Sequence, residues 1–500
     1  MNKPIKIVDL FAGPGGLGEG FSSVVSGSSS AFKIVASVEK EASAHKTLTL
    51  RAFVRQFKKK DIPREYYQYI KGSVGINLLK EKYKKEWQAA QNETLGGPTA
   101  LGEDNDVIHE AISRALGSNI DPWVLIGGPP CQAYSLAGRA RNKNSSSYVA
   151  EKDERHFLYK EYLEIIKKFK PTVFVMENVK GILSSSPSGK PIFEQILNDL
   201  KNPGEELGYK IYSFSNEPNS ADLFEPVYDG KDFTIESENY GIPQARHRVI
   251  LLGVRNNISI NPTDVLLKKT EVVNVEQALA CMPKLRSGLS KEEDTFKNWE
   301  QIVRNAQSEA LSLLGQKPTK LSNTKLPKSR GKSFVAKSNT LSSSLPKELR
   351  DWLSDKNLGG IIQHQTRGHM TSDIARYVYV SLFGKYKKRN PIISEFPNQL
   401  LPNHKNIHSG KFVDRFKSQL AGSPSKTITS HISKDSHAFI HFDPLQSRGL
   451  TVREAARLQT FPENYFFEGN RTQQYVQVGN AVPPYLAYKI ATKLARILIN

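Results

Sequence analysis

The sequence has few cysteines and no apolar run of the roughly 18 residues that a membrane span needs. Cys131 and Cys281 are the two cysteines among 500 residues, too far apart for a disulfide framework and without the CxxC spacing of a zinc site. Asp9 interrupts the apolar N-terminal stretch, which therefore predicts a strand and not a signal peptide. We expect a cytoplasmic protein in a reducing compartment, without a metal.

Acidic residues are also under-represented. Lysine and arginine number 70 against 50 acidic residues, a net charge of +20, which favours a polyanionic partner over a merely solvated surface. Between Asn256 and Arg448 there are 30 basic and 16 acidic residues. Because the excess is concentrated there, we expect that stretch to carry a nucleic-acid-binding face.

Short apolar runs alternate with helical patterns, as in an α/β fold with a buried parallel sheet. The runs predicted as strands are Ile5 to Phe11, Phe32 to Glu39, Trp123 to Gly128, Thr172 to Asn178 and Arg248 to Val254. Helices are predicted from Ala42 to about Phe57, after Leu450 and at the C-terminus. We expect a catalytic domain over residues 1–255 with an insertion at 58–121, a second, basic domain over 256–425, and a return to the catalytic domain over 426–500.

A glycine-rich turn follows the first predicted strand. In DLFAGPGGLGEGF (Asp9 to Phe21), Gly13, Gly15 and Gly18 satisfy GxGxxG, which lets the backbone approach a ligand before a helix begins. Glu39 ends the next strand, where a carboxylate can accept hydrogen bonds from ribose hydroxyls. The sequence therefore predicts a nucleotide-like cofactor, the alternative being a turn needed only for packing.

Two further strands end in residues suited to chemistry. IGGPPCQAYS (from Ile126) places Cys131 after a rigid Gly-Pro turn, and nearby basic groups or a helix N-terminus would favour its thiolate. Glu177, in VFVMENV, ends another strand and could hold a proton for a ring nitrogen in the same crevice. The competing interpretations are an inert thiol and a structural carboxylate.

Three further motifs complete the pattern, one in the middle of the chain and two near its C-terminus. In QARHRV, Gln244, Arg246 and Arg248 alternate as a strand begins and are expected to share a face. In LTVREAARLQTFP, Arg453 and Glu454 are expected to form a structural ion pair, and QVGNAVPP is expected to form a tight turn before the last helix.

Five histidines of the late region do not have the spacing of metal ligands and are expected to contact DNA or each other. They are His364, His369, His431, His437 and His441.

The chain resembles the DNA (cytosine-5)-methyltransferases of bacterial restriction–modification systems. DLFAGPGG, GGPPCQAYS, ENV, QARHRV, REAARLQTFP and QVGNAVPP resemble the successive motifs of that family, in its usual order, over residues 5–255 and 425–498. The resemblance implies a Rossmann-like S-adenosylmethionine-dependent methyltransferase domain with a smaller inserted target-recognition domain.

The resemblance also implies roles for individual residues. Cys131 would be the nucleophile, Glu177 the group at cytosine N3, and Arg246 and Arg248 partners of the base and the active-site loop. S-adenosyl-L-methionine would lie against Phe11, Gly13, Gly15, Gly16, Leu17, Glu39, Pro130, Asn480 and Val482. The acidic contact to adenine would be Asp104 or Asp106, with Asp61 a weaker choice because the insertion displaces this position.

The implied reaction is methylation of carbon 5 of a flipped-out cytosine in double-stranded DNA, through a covalent Cys131 adduct. The implied protein is a monomer, and a cognate restriction endonuclease would recognise the same DNA sequence. Three other functions compete: an RNA cytosine methyltransferase, a catalytically inactive DNA-binding protein on the same fold, and a nicotinamide dehydrogenase, whose glycine motif would leave the PPCQ turn unexplained.

Overall fold

The computed structural model describes residues 3–27, 29–118, 122–130, 158–185, 192–204, 207–221, 226–317, 324–403 and 415–499. Seven strands in these ranges form a mostly parallel sheet: β1 (Ile5–Leu10), β2 (Phe32–Val38), β3 (Trp123–Gly127), β4 (Val173–Val179), β5 (Tyr209–Ser213), β6 (Thr234–Glu236) and β7 (His247–Arg255). The strand order is β6-β7-β4-β3-β1-β2, and β5 also pairs with β7. The predicted α/β class is confirmed.

The direction of one strand differs from the prediction. β2, β1, β3 and β4 run parallel to their neighbours, whereas β7 runs antiparallel to β4, with Ile250 opposite Glu177. RVILLGV was expected to be a buried parallel strand, and that orientation is wrong. A strand buried on both faces has the same apolar composition in either direction, so composition alone does not reveal its orientation.

Sixteen α-helices lie in the described ranges. They are α1 (Gly16–Ser22), α2 (Ala42–Val54), α3 (Arg64–Ile70), α4 (Ile76–Lys82), α5 (Lys84–Glu93), α6 (Asn105–Leu116), α7 (Leu158–Phe169), α8 (Ile192–Lys201), α9 (Pro262–Val265), α10 (Val275–Leu279), α11 (Phe296–Leu313), α12 (Lys347–Leu353), α13 (Thr371–Lys387), α14 (Val452–Leu458), α15 (Arg471–Asn480) and α16 (Pro484–Ile499). Of the six longest, sequence periodicity located α2 and α16 but not α6, α7, α11 or α13. No helix in this part of the chain is long and apolar enough to cross a bilayer.

The sheet is buried on both faces because its side chains alternate between two apolar cores. Val124 and Ile126 face one core, together with α1 and α16, whereas Leu125 faces the other, together with α6, α7 and α8. Successive side chains of a strand point to opposite faces of the sheet, and both faces are apolar here. Each strand is therefore a continuous hydrophobic run in the sequence. The same burial forces polar groups to the strand ends.

The basic region has a core of its own but is also packed onto the sheet domain. α11 and α13 enclose one apolar cluster around Trp299 and Tyr377, and strands β8 (Gly331–Ala336) and β9 (Gly360–Gln365) pair antiparallel. α12 instead packs on the core beside α16. The helices α3 to α5 of the predicted insertion share a further core with Ile362 of β9.

Candidate active site

The glycine turn lies at the carboxyl edge of the sheet, between β1 and α1. Phe11, Gly13 and Gly15 have φ angles of 54°, 58° and 94°, and Gly15 is the N-cap residue of α1. A residue with a Cβ is strained at positive φ angles, whereas glycine is not. No atom lies within 4 Å of the position that a Cβ on Gly13 would occupy. The turn therefore leaves open space above its backbone, as a bound ligand requires.

The C-terminal motif QVGNAVPP packs against one side of the glycine turn. A Cβ on Gly16 would lie 2.4 Å from the carbonyl oxygen of Val482, so the two motifs touch backbone to backbone. Leu17 and Val482 are buried, whereas Asn480 is exposed at the end of α15. The expected tight turn at Gly479 and Asn480 is thus the last turn of a helix, and the irregular segment begins at Ala481.

Glu39 lies directly beside the glycine turn. Its Oε2 accepts a hydrogen bond from the Gly13 amide at 2.8 Å, and its Oε1 accepts one from the Glu41 amide at 2.7 Å. Burial raises the pKa of this carboxyl above its ordinary value. A carboxylate held in this way keeps lone pairs available for ligand hydroxyls.

The three candidate acids for an adenine contact occupy different places. The Thr99 amide donates to the Glu39 carbonyl at 3.0 Å, which brings the loop before α6 to the same sheet edge. Asp104, the exposed N-cap residue of α6, accepts from the Ala100 amide at 2.8 Å, and Asp106 is exposed in the next turn. Asp61 follows α2 and lies in a 3-10 turn, among residues that line a different cleft.

Asp9, in the strand before the glycine turn, is a buried acid for which the sequence predicted no role. Its side chain is fully buried, and neither carboxylate oxygen has a hydrogen-bond partner among the described side chains. Burial raises its pKa to about 8. An acidic residue inside an apolar strand was the available sequence signal.

Glu177 and Arg248 form an ion pair at the end of β4. The Arg248 Nε lies 2.8 Å from the Glu177 Oε1, and each side chain is less than 15% exposed. A Cβ on Gly128 would lie 2.9 Å from the other carboxylate oxygen, so the Gly-Pro turn packs against this carboxylate. The sheet register explains the contact: Ile250 pairs with Glu177, which places Arg248 two residues further along the same face.

Cys131, the predicted nucleophile, lies outside the described residues. The described turn before it ends at Pro130, which is half-buried, and the Pro129 carbonyl accepts from the Asn178 side chain at 3.4 Å. The Glu177–Arg248 pair and this turn are therefore adjacent to the point where Cys131 follows in the chain.

Arg246 and Gln244 both hydrogen-bond the backbone of Ile428, whereas Arg248 pairs with Glu177. Arg246 is 2% exposed and donates to the carbonyls of Ile428 at 2.8 Å and Gly479 at 3.2 Å. Gln244 belongs to a separate bridge with Ser425. Burial lowers the pKa of the Arg246 guanidinium, and the nearby positive charge of Arg248 lowers it further. Arg246 lies directly before β7 and joins the late region to the C-terminal motif through these two carbonyls.

One further expectation about polar residues is also corrected. Arg453 does not pair with Glu454 but donates to backbone carbonyls, and Glu454 instead forms a bidentate pair with Arg448 at 2.7 Å. His364 bonds Thr451 and a backbone carbonyl, and no cluster of metal-binding side chains occurs in the described ranges.

The residues at this edge fit a ligand that carries hydroxyl groups, such as a nucleoside. The backbone of Gly13 faces open space, the Glu39 carboxylate bonds the Gly13 amide, and Leu17 and Val482 are buried beside the turn. This combination suits a ribose held against the glycine turn.

Comparisons with known proteins agree with this geometry. The family model described as C-5 cytosine-specific DNA methylase matches residues 103–496. The chain is 31% identical to the type II methyltransferase M.Bpa9945I of Bacillus paralicheniformis over 98% of this chain and 99% of that protein. It is 25% identical to M.DdeI of Desulfomicrobium norvegicum over 84% of each. A crystal structure of a prophage-encoded DNA modification methyltransferase from E. coli superposes with a TM-score of 0.50 and 19% identity, covering 99% of this chain and all of that one, which supports the fold.

Proposed function

The chain belongs to the C-5 cytosine-specific DNA methylase family, and on that premise we propose how this enzyme, a DNA (cytosine-5)-methyltransferase, works. It transfers a methyl group from S-adenosyl-L-methionine to carbon 5 of a flipped-out cytosine in a specific double-stranded sequence, through a covalent Cys131 adduct. The observation that carries the proposal is the Glu177–Arg248 pair packed against Gly128, next to the glycine turn.

The cofactor is held by residues of the glycine turn and its neighbours. Phe11, Gly13, Gly15, Gly16 and Leu17 would surround its methionine end, Glu39 would accept hydrogen bonds from its ribose hydroxyls, and Asp104, Pro130, Asn480 and Val482 would complete the pocket. When bound, S-adenosyl-L-methionine supplies an electrophilic methyl group at this edge of the sheet. The hydrogen bonds from Gly13 and Glu41 orient Glu39 for its part.

The chain's own residues activate the cytosine. The Cys131 thiolate adds to carbon 6 while Glu177, in its protonated form, donates a hydrogen bond or a proton to N3, which makes carbon 5 nucleophilic. After methylation, carbon 5 gives its proton to solvent, the Cys131 sulfur leaves as thiolate, and N3 returns to Glu177 any proton it received, which restores the aromatic ring. Arg248 fixes the Glu177 carboxyl so that it meets N3 at one orientation.

The basic late region is proposed to recognise DNA. Residues 256–425 form the target-recognition region, residues 426–500 return to the catalytic domain, and residues 58–121 are an insertion. Phosphate contacts and base contacts there would place the target cytosine over the site, since chemistry on a base requires it to leave the stack. We further propose a monomer that acts on chromosomal DNA in the cytoplasm, with a restriction endonuclease of the same specificity as its partner, as the names of its type II relatives suggest.

The two cysteines offer a matched test. Bisulfite sequencing of DNA from a host that expresses the chain should show one methylated cytosine context. Cys131→Ser should abolish this methylation, whereas Cys281→Ser, which changes a half-buried free thiol elsewhere, should retain it. Normal methylation by Cys131→Ser would refute the covalent step, and methylation of transfer RNA in preference to duplex DNA would favour the RNA enzyme.

Arg248 provides a second test, of positioning. Arg248→Ala should lower kcat for duplex DNA by about 100-fold, because misplacement of a catalytic group by about 1 Å can cost that factor. The affinity for S-adenosyl-L-methionine, measured by calorimetry, should change less than twofold. An equal loss in both quantities would show that Arg248 only maintains the fold.

A further inference from the structure

A second cleft opens at the opposite edge of the sheet from the candidate active site. Its walls include Pro4 and Phe32, next to or at the beginnings of β1 and β2, and Ser22 and Arg55, at or just after the ends of α1 and α2. In a parallel β-α-β arrangement the strands begin where the helices end, so this cleft and the glycine turn lie on opposite edges. Helix α1 separates them.

The size of the cleft favours a polymer. Its volume is about 1870 Å³, larger than the roughly 300–1,000 Å³ of pockets for small molecules. A single metabolite would leave most of this space filled with water.

The charge of the cleft favours a polyanion. Ten lysines and arginines line it against four acidic residues. Two of the acids are already neutralised within the cleft: Glu19 pairs with Arg51, and Glu93 with Arg55. The exposed cations that face solvent are Lys33, Lys58, Lys59, Lys60, Lys268 and Arg496. The two other acids, Glu348 and Asp351, lie together on α12, where Asp351 pairs with Lys347.

Aromatic rings form another part of the wall. Trp352 packs on Tyr485 and Tyr488, with ring centroids 5.6 Å and 5.2 Å away, and the two tyrosine rings are stacked with an interplanar angle of 10°. Trp352 and Tyr488 are only partly buried. The ammonium of Lys489 lies 4.8 Å from the centre of the Tyr485 ring. Aromatic faces next to lysines are what unpaired bases and their phosphates require.

We propose that this cleft binds single-stranded nucleic acid, with phosphates on the lysines of residues 58–60 and bases on Trp352 and Tyr488. A paired duplex offers its backbone but not its base faces, so it would leave the aromatic wall unused. The site is separate from the one that receives the target cytosine. It therefore allows the enzyme to hold a second, unpaired strand while duplex DNA occupies the active site.

The test measures binding of fluorescein-labelled 15-mer oligo(dT) and oligo(U) to the full chain by fluorescence anisotropy over a range of salt concentrations. Lys59→Glu combined with Lys60→Glu should weaken binding at least tenfold. The slope of log K against log salt concentration should become shallower by about 1.4, because two phosphate contacts are lost and each contributes roughly 0.7 to the slope. Tyr488→Leu should weaken binding without changing the salt dependence, because it removes stacking and keeps the charges.

The matched control reverses two other exposed lysines, Lys84→Glu with Lys85→Glu, on α5 and outside the cleft. Equal weakening by both double variants would overturn the proposal, as would a loss of binding to a labelled duplex of the same length that equals the loss for oligo(dT) in Lys59→Glu with Lys60→Glu. Methylation of duplex DNA should be unchanged in Lys59→Glu with Lys60→Glu. A loss of methylation equal to the loss of oligonucleotide binding would make the cleft part of the duplex site and would also overturn the proposal.

Discussion

Asp9→Asn should make the folded chain more stable at pH 8.5 while leaving its stability at acidic pH nearly unchanged. The Asp9 carboxyl is fully buried, without a hydrogen-bond partner among the described side chains, and desolvation raises its pKa from 3.8 to about 8. Between these two values the folded chain keeps a proton on Asp9 that the unfolded chain has released. Stability must therefore fall as the pH rises through this window.

The size of the effect follows from the two pKa values. A carboxyl that ionises at about 8 in the folded chain and at 3.8 in the unfolded chain disfavours the folded state by roughly 6 kcal/mol above pH 8, at 1.36 kcal/mol per tenfold change in proton affinity. Below pH 3.8 both states hold the proton, and the contribution vanishes. Asparagine has nearly the same shape and does not titrate, so the variant should lack this dependence.

Urea denaturation followed by circular dichroism from pH 5 to pH 8.5, on the wild type and on Asp9→Asn, measures the difference. The advantage of the variant should grow by several kcal/mol across this range. Glu81→Gln serves as control, because it removes an exposed carboxylate and should give a curve parallel to the wild type. A constant difference between Asp9→Asn and the wild type at all pH values would refute the reasoning.

Three other substitutions have expected outcomes of different kinds. Glu454→Gln should lower the free energy of unfolding by about 3–5 kcal/mol in urea denaturation, because Arg448, 0% exposed, would lose its buried counter-charge. Gly16→Ala should weaken calorimetric binding of S-adenosyl-L-methionine more than tenfold, since its Cβ would meet the Val482 carbonyl at 2.4 Å and the turn must shift; unchanged affinity would contradict this packing. Tyr67→Phe, which removes a 2.8 Å hydrogen bond to a carboxylate, should cost about 1.5–3 kcal/mol in thermal or urea unfolding, and a cost near zero would show that water replaces the hydroxyl.

Local patterns predicted the sheet domain well. The runs that became β1 to β4, the long helix after β2 and the C-terminal helix α16 were located within a few residues, because apolar periodicity is a property of contiguous residues. The glycine turn was equally visible, since its positive φ angles at Gly13 and Gly15 need glycine at those positions.

Partners distant in sequence were harder to predict. Arg453 was predicted to pair with its neighbour Glu454. In the structure Glu454 pairs with Arg448, and Arg453 donates to backbone carbonyls. Adjacent residues on a helix point about 100° apart, so i,i+1 charges seldom meet. Arg246 likewise bonds the carbonyls of Ile428 and Gly479, which lie about 180 and 230 residues further along the chain.

What the sequence by itself determined is the set of elements and the motifs at their ends, because both depend on residues close together in the chain. Only the tertiary structure decided the antiparallel direction of β7, the pairing of Glu177 with Arg248, the contact of Gly16 with Val482, and the cleft on the opposite edge of the sheet. These features join residues tens to hundreds of positions apart. Their free energies depend on burial and distance, which exist only once the chain has folded.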